Sequence, residues 1–513
     1  MYLSLFMVLP ASTACLAVSF VILVAWVLHQ RYQSQLNQFP GPILASLSNI
    51  WRFGYSLYNR YGTPLAALHR RYGPVVRLGP RMLSFSTPEA IQDIYGPKNK
   101  LNKSEFYSVI SPVHAGVISQ TLFSNRDKDS HASHRRAVNS AFSMSSVLRY
   151  EPYLDETIGL FFNKLDEISG KTGKKEWIDL PCLFQYYAFD TIGMLAYGKR
   201  YGFIEQNSDI NGIIKSTRMI LDYTSYVGNY PLLDKATIKN PLMLWLGRMG
   251  LVEMTTPLIP FAINSQAGRL AEMRENPERK DTNRDILDSY LALHRAKPDI
   301  VTNDMVLELG VMLGFAGSES TGVALSAFLY HVTRHPNIYR RVCNELASHV
   351  DANTSHVSYT KAQSMPYFDA CVKEAFRIHP PSGFVMERVT PPQGAEIAGY
   401  KVPGNVIVGC NPHAVHRDKS TFGEDADVYR PERWLEASDM QAREMWKGMI
   451  HFGSGSHTCL GRHISVMEVY KLGASLLHNF KITLDQPEKD CKITVGQFVR
   501  LNYRARVERL SRE

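Results

Sequence analysis

Residues 452–461 read Phe-Gly-Ser-Gly-Ser-His-Thr-Cys-Leu-Gly, and no other stretch constrains the chain as much. They present one cysteine, Cys459, in a loop bracketed by Gly453, Gly455 and Gly461, ahead of a helical pattern over residues 460–480. Glycine removes side-chain bulk, so backbone N–H groups can approach a sulfur and hydrogen-bond it. A helix start favours negative charge, and an electropositive pocket keeps a thiolate ionised. Phe452, seven residues before the cysteine, is expected to cover the sulfur against water. A single thiolate held this way suits one axial bond to a haem iron. Zinc would want three or four ligands, and none cluster here. The simpler reading is a structural cysteine in a glycine-rich turn.

The spacing F-x-x-G-x-[HR]-x-C-x-G resembles that of the cytochrome P450 superfamily, the haem-thiolate monooxygenases. His457 fills a basic position where arginine is commoner. The resemblance implies a mainly α chain with small β-sheets, haem b as cofactor, and Cys459 as the axial iron ligand. It can be tested on the other motifs.

His131 and Arg135 lie four apart, on one face of a helical stretch. Alone they read as a solvated basic face; beside Cys459 they suit the two carboxylates of a haem. Many relatives carry Trp where His131 stands. By resemblance Arg388 is a second propionate contact and Val385 lies near the substrate.

Residues 302–335 form one long helical pattern holding Gly310, Gly314, Gly317 and Gly322. Interior glycine costs a helix up to about 1 kcal/mol each relative to alanine. Either another helix packs tightly there, or a flat ligand lies against the backbone. The central Ala316-Gly317-Ser318-Glu319-Ser320-Thr321 resembles the family's oxygen-activating pattern A-G-x-[DE]-T-[TS]. Glu319 matches the acid, and Ser320 stands where Thr is usual. With Thr321 they are expected to deliver protons. Serine has freer rotamers than threonine, which would loosen the coupling of oxygen use to product.

Ser364 is expected to cap a helix that has Pro366 near its first turn and carries Glu374-Ala-Phe-Arg377. Arg433 follows in Pro431-Glu-Arg433-Trp434. By resemblance Glu374, Arg377 and Arg433 form a buried structural network rather than a catalytic one. Strands are expected at 75–78 and 82–85 about a Gly79-Pro80 turn, at 389–408 and at 481–507. Residues 101–130 read as a long loop.

From Met1 to His29 there is no Asp, Glu, Lys or Arg, and residues 3–28 are predominantly apolar. A bilayer needs about 20 such residues. Positive charge follows at Arg31, Arg52, Arg60, Arg70 and Arg71, which orients the bulk of the chain to the cytoplasm. A cleaved signal peptide would have a basic start and a shorter apolar core. The expected organisation is an anchor over 1–30, a linker with a proline-rich hinge over 31–42, and one catalytic domain over 43–513.

Seven scattered cysteines with no C-x-x-C argue against a disulfide framework and for a reducing compartment. A net charge of +9 suits an acidic protein face or anionic lipid. No nucleic-acid motif accompanies it, so nucleic acid is not expected as a partner. Nor is there a flavin or nicotinamide fingerprint, so electrons must come from a partner. By resemblance this is an NADPH-dependent, flavin-containing P450 reductase in the endoplasmic reticulum membrane. The segment Val-Met-Glu-Arg-Val-Thr-Pro-Pro from Val385, followed by residues 399–404, resembles fungal secondary-metabolite members of the pisatin-demethylase-like kind. That implies hydroxylation, epoxidation or O-demethylation of a hydrophobic terpenoid, alkaloid or polyketide. Two alternatives remain: a haem-thiolate peroxygenase or isomerase working without a reductase, and a non-catalytic, membrane-anchored binding protein.

Overall fold

The computed structural model describes residues 11–32, 35–58, 63–96, 101–170, 176–276 and 285–510. Residues 1–10, the start of the expected anchor, and Arg60 lie outside the described residues. Helix α1 (Ala11–Tyr32) carries an 18-residue window, Cys15–Tyr32, of mean hydropathy 1.5, none of it buried. It is long and apolar enough to cross a bilayer. Beyond it the chain is mainly helical, with small sheets, around one large apolar core.

The helices that position the site are α2 (Ile50–Leu57), α3 (Lys128–Val138), α4 (Leu180–Tyr197), α5 (Ile213–Val227), α6 (Asn303–Arg334), α7 (Pro336–His349), α8 (Pro366–Ile378) and α9 (Arg462–Asn479). Helix α6 starts where its sequence indicates, with Thr302 Oγ1 accepting from Met305 N at 3.2 Å. The structure also decides between the two explanations for its glycines. A Cβ on Gly310 would sit 2.5 Å from Tyr197 Oη, on Gly314 2.9 Å from Tyr201 Oη, and on Gly317 3.2 Å from Ile192 Cγ1. One on Gly322 would sit 3.1 Å from Gln185 Cα. All four face α4 or the turn after it, so helix packing accounts for them.

Ser364 does not cap α8. It closes the preceding short turn, Tyr359–Gln363, and its hydroxyl donates to Lys361 O at 2.8 Å. The first amides of α8 are capped from another element. Tyr367 N donates to Glu345 Oε1 at 2.9 Å and Phe368 N to Oε2 at 2.7 Å, Glu345 lying on α7. A carboxylate at a helix start satisfies two orphan donors and complements the dipole.

The main sheet has five strands in spatial order β1 (Val75–Gly79), β2 (Met82–Phe85), β5 (Ile407–Cys410), β4 (Arg388–Val389), β3 (Asn102–Lys103). The β2–β5 pair is parallel and the others antiparallel. The expected loop over 101–130 thus contributes an edge strand. Its register sets Lys103 directly opposite Arg388. Near the C-terminus β6 (Lys492–Val495) and β7 (Val499–Asn502) form a hairpin.

Candidate active site

The cysteine loop closes on itself: Cys459 N donates to Phe452 O at 2.7 Å, joining the two ends of the motif. Phe452's ring rests on Phe376 and His451, with centroids 5.4 and 4.5 Å away. Gly455 has φ +64°, and a Cβ there would collide with the Tyr95 carbonyl. Its glycine therefore serves close backbone approach to Tyr95. A Cβ on Gly461 would meet nothing within 4 Å. Helix α9 begins at Arg462, two residues later than the pattern suggested, so Cys459 stands just ahead of its first turn.

Burial is the largest influence on the Cys459 thiol and pushes it up; the Gly461 amide and the charges of Arg135 and Arg462 work the other way. Yet the residue is exposed to a water-sized probe. Both hold if its open side faces interior space. Helix α6 has a matching stripe, where Ala316 is exposed although Gly314 and Ser318 are buried, with half-buried Ser320 one turn on. Among the described residues no group of three or more His, Cys, Asp or Glu could hold a metal ion.

Five cationic or basic side chains gather beside this loop. His131 Nε2 and His457 Nδ1 are 3.2 Å apart, with ring centroids 4.1 Å apart. Burial lowers His131 to about 4, helped by the charges of Lys103, Arg135 and Arg388. His457 is lowered by burial and then by the same three cations. Burial also takes Lys103 down to about 7, with Arg388 and Arg135 adding to the effect. Arg388 is 4% exposed and donates to Tyr107 Oη at 3.1 Å and to its neighbour's carbonyl, Glu387 O, at 2.8 Å. Like charges directly opposite across strands are unfavourable, yet Lys103 and Arg388 are so placed. None of the five forms an ion pair with a carboxylate among the described residues. A buried cationic set of this kind is costly unless an anion meets it.

Lys103 went unnoticed in the sequence, because an isolated lysine in an aperiodic stretch carries no signal. Its place follows only from the β3–β4 register.

The family model for Cytochrome P450 matches residues 45–509. The chain belongs to the cytochrome P450 family. It is 34% identical to cytochrome P450 monooxygenase cicH of Emericella nidulans over 482 residues, 94% of this chain and 95% of that one. A cytochrome P450 monooxygenase of Aspergillus terreus is 34% identical over 461 residues, covering 88% and 92%. Pisatin demethylase of Fusarium vanettenii is 31% identical over 490 residues, covering 94% and 90%. Membership brings haem, a small-molecule substrate and electrons from a redox partner.

The site fits a P450 haem. One thiol is exposed, a Cβ on Gly461 would meet nothing within 4 Å, and a cationic set without carboxylate partners stands beside the loop, as the two carboxylates of a haem would require.

The P450 motif residues Glu374, Arg377 and Arg433 come together in the interior. Arg377 clamps Glu374 through Nε and Nη2 at 2.8 and 2.7 Å, and Arg433 Nε reaches the same carboxylate at 3.0 Å. Trp434 Nε1 donates to it at 2.9 Å. Burial would raise this carboxyl, but Arg377 and Arg433 outweigh it and hold it low. Arg377 Nη1 also holds the carbonyls of His416 and Ala426 at 2.8 and 2.6 Å. The network thus braces the segment that leads to the cysteine loop. Removing one partner of such a buried pair costs about 3–5 kcal/mol.

The acid-and-hydroxyl segment is placed less simply. Glu319 is 2% exposed, and its Oε1 lies 2.6 Å from Arg500 Nε on β7. Gln185 Nε2 donates to its Oε2. Ser320 Oγ donates back to Ala316 O at 2.7 Å. Thr321 Oγ1 donates to Ser465 Oγ on α9 at 3.2 Å, tying two helices together. No hydrogen bond joins Glu319 to Ser320 among the described residues. Gln185 and Arg500 carry no sequence signal.

Proposed function

We propose that this P450 is anchored in the endoplasmic reticulum membrane by residues 1–30, followed by a hinge over 31–42 and a catalytic domain over 43–513 facing the cytoplasm. It takes electrons from NADPH through a flavin-containing P450 reductase. It oxidises a hydrophobic small molecule of fungal secondary metabolism by hydroxylation, epoxidation or O-demethylation. The relatives' names and the apolar, exposed α1 support this.

The observation that carries the site assignment is a cationic set without carboxylate partners beside the Cys459 thiol. Cys459 would hold the haem iron through its sulfur, and Phe452 and the Gly453–Gly455 turn would fix its loop. His131, Arg135, Arg388 and His457, joined by Lys103, would hold the propionates. When bound, haem supplies the activation of dioxygen. The chain's own contribution is position and protons. Glu319 takes up a proton from solvent and passes it inward. Ser320, on the open stripe of α6, takes it on its oxygen while passing its own hydroxyl proton inward, once that hydroxyl turns from the Ala316 carbonyl. Thr321 serves to pack α6 on α9, its hydroxyl being engaged with Ser465.

Positioned proton transfer contributes about 10²–10⁴-fold to a rate. Glu319→Gln is therefore expected to retain haem while coupled turnover falls about a hundredfold. Product formed per electron pair consumed measures this, and normal coupled turnover would reject the relay. For the cationic set, Lys103→Met is expected to speed haem transfer to a scavenger apoprotein about tenfold, one charge-assisted bond being worth about 1.5–3 kcal/mol. An unchanged transfer rate would remove Lys103 from the propionate shell.

A further inference from the structure

Glu319 sits in a polar cluster built from four elements. Arg500 of β7 is its nearest cation, at 2.6 Å, and Gln185 of α4 donates to its other oxygen. Helix α5 reaches the cluster twice. Asp222 Oδ1 accepts from Arg500 Nη2 at 3.0 Å. Arg218, one turn earlier on α5, donates through Nη2 to Gln185 Oε1 at 2.5 Å, and its Nε lies 3.9 Å from Glu319 Oε2. Burial works against the charge on Arg500, but Glu319 and Asp222 more than offset it. Arg500 thus has two carboxylate partners with different surroundings. Glu319 is held on the core helix at 2% side-chain exposure, whereas Asp222 is on α5 at 37%. A movement of α5 therefore shifts one partner and not the other.

A carboxylate held in an ion pair is a poor carrier, because taking up a proton means giving up the pair. We propose that Arg500 is a positioning residue that latches Glu319, and that Asp222 on α5 draws Arg500 off it, so that the posture of α5 decides when the acid can carry a proton. This rests on the relay role proposed for Glu319. Asp222 also abuts the β6–β7 turn: a Cβ on Gly496 there would lie 2.8 Å from Asp222 Oδ1. Gly496 lines a cavity with Phe106, Phe384, Val385, Ser225 and Asn229, the last two on and just after α5. That cavity measures only about 10 Å³, about one water's worth, so α5 and the β6–β7 turn sit closely together here.

The two arms of one arginine give opposite signs, which a simple brace would not. In haem-loaded enzyme with reductase, Arg500→Gln frees Glu319, and substrate-free electron consumption is expected to rise about threefold, the scale of a partly exposed ion pair. Arg500→Lys keeps the charge and is expected to restore the low background. Asp222→Asn leaves Arg500 to Glu319 alone, and substrate-supported turnover is expected to fall about threefold. Neither change is expected to act in the Glu319→Gln background. Both substitutions are expected to speed amide exchange over α5, a readout independent of turnover. If Arg500→Gln and Asp222→Asn shift rates in the same direction, or act equally when Glu319 is gone, the latch is overturned. Should Arg500→Gln fail to fold, the sign of Asp222→Asn and its dependence on Glu319 decide alone. If Glu319→Gln itself leaves turnover unchanged, it is the relay that fails.

Discussion

Cys459→Ala is expected to remove the carbon-monoxide band that marks thiolate ligation in the reduced enzyme, and to reduce turnover to background. The reason is chemical singularity. Cys459 is the lone thiol in the loop, and among the described residues no cluster of His, Cys, Asp or Glu could take over an iron. The fold should survive, because the loop is closed by the Cys459 backbone amide on Phe452 O, which alanine keeps. Removing the thiol itself is worth about 1 kcal/mol or less, so the melting temperature of haem-free protein should move by only a few degrees. Protein that keeps both the band and turnover would refute the ligand assignment. Protein that loses both because it no longer folds is told apart by its melting curve.

Mild acid is expected to unfold the enzyme steeply. His69, His379, His413 and His416 are each at most 7% exposed. Burial lowers His69 and His379 to about 4, and His413 and His416 lie well below their ordinary value for the same reason, aided by the Arg417 charge. These histidines are neutral when folded and titrate near 6.5 when unfolded. The folded state therefore binds fewer protons below that pH. Their contribution is fully present above about pH 6.5 and is lost as pH falls towards the folded values. Four such groups give a slope of up to about 5 kcal/mol per pH unit, against a usual total stability of about 5–15 kcal/mol.

His416 shows why the loss is local to the site. Its Nε2 accepts from Ile450 N at 2.9 Å and its Nδ1 faces Arg377 O at 3.0 Å, so a second proton has no acceptor and breaks the bond to Ile450. Ile450 stands two residues before Phe452, so the cysteine loop loosens with it. Denaturant midpoints at pH 7.5 and 5.5 measure the effect, and these four rings alone should add nearly four protons to the uptake on unfolding at pH 5.5. Near-equal midpoints would show that these rings titrate normally.

The cysteine loop was legible because its signal is local: a few fixed residue types within ten positions determine both the turn and what it presents. Glu374, Arg377 and Arg433 were legible as a motif, although the sequence could not show that Arg377 also holds the carbonyls of His416 and Ala426. Helix α6 was legible to within a residue at each end, since its cap and period lie in consecutive residues. The reason for its glycines was not. They answer to Tyr197, Tyr201, Ile192 and Gln185, more than a hundred residues away. The misassigned cap at Ser364 has the same cause, because Glu345 on a neighbouring helix caps α8.

The order of the residues alone determined the family, the cysteine loop, the apolar leading helix and the acid on α6, all of which are written in short-range patterns. Only the tertiary structure decided what surrounds them: Lys103 opposite Arg388, His131 against His457, Glu319 held by Arg500, and Thr321 turned to Ser465. Charges and hydroxyls act through space at a few ångströms, and the partners here are separated along the chain by more than a hundred positions. No local pattern can encode such pairings; strand register and helix packing create them.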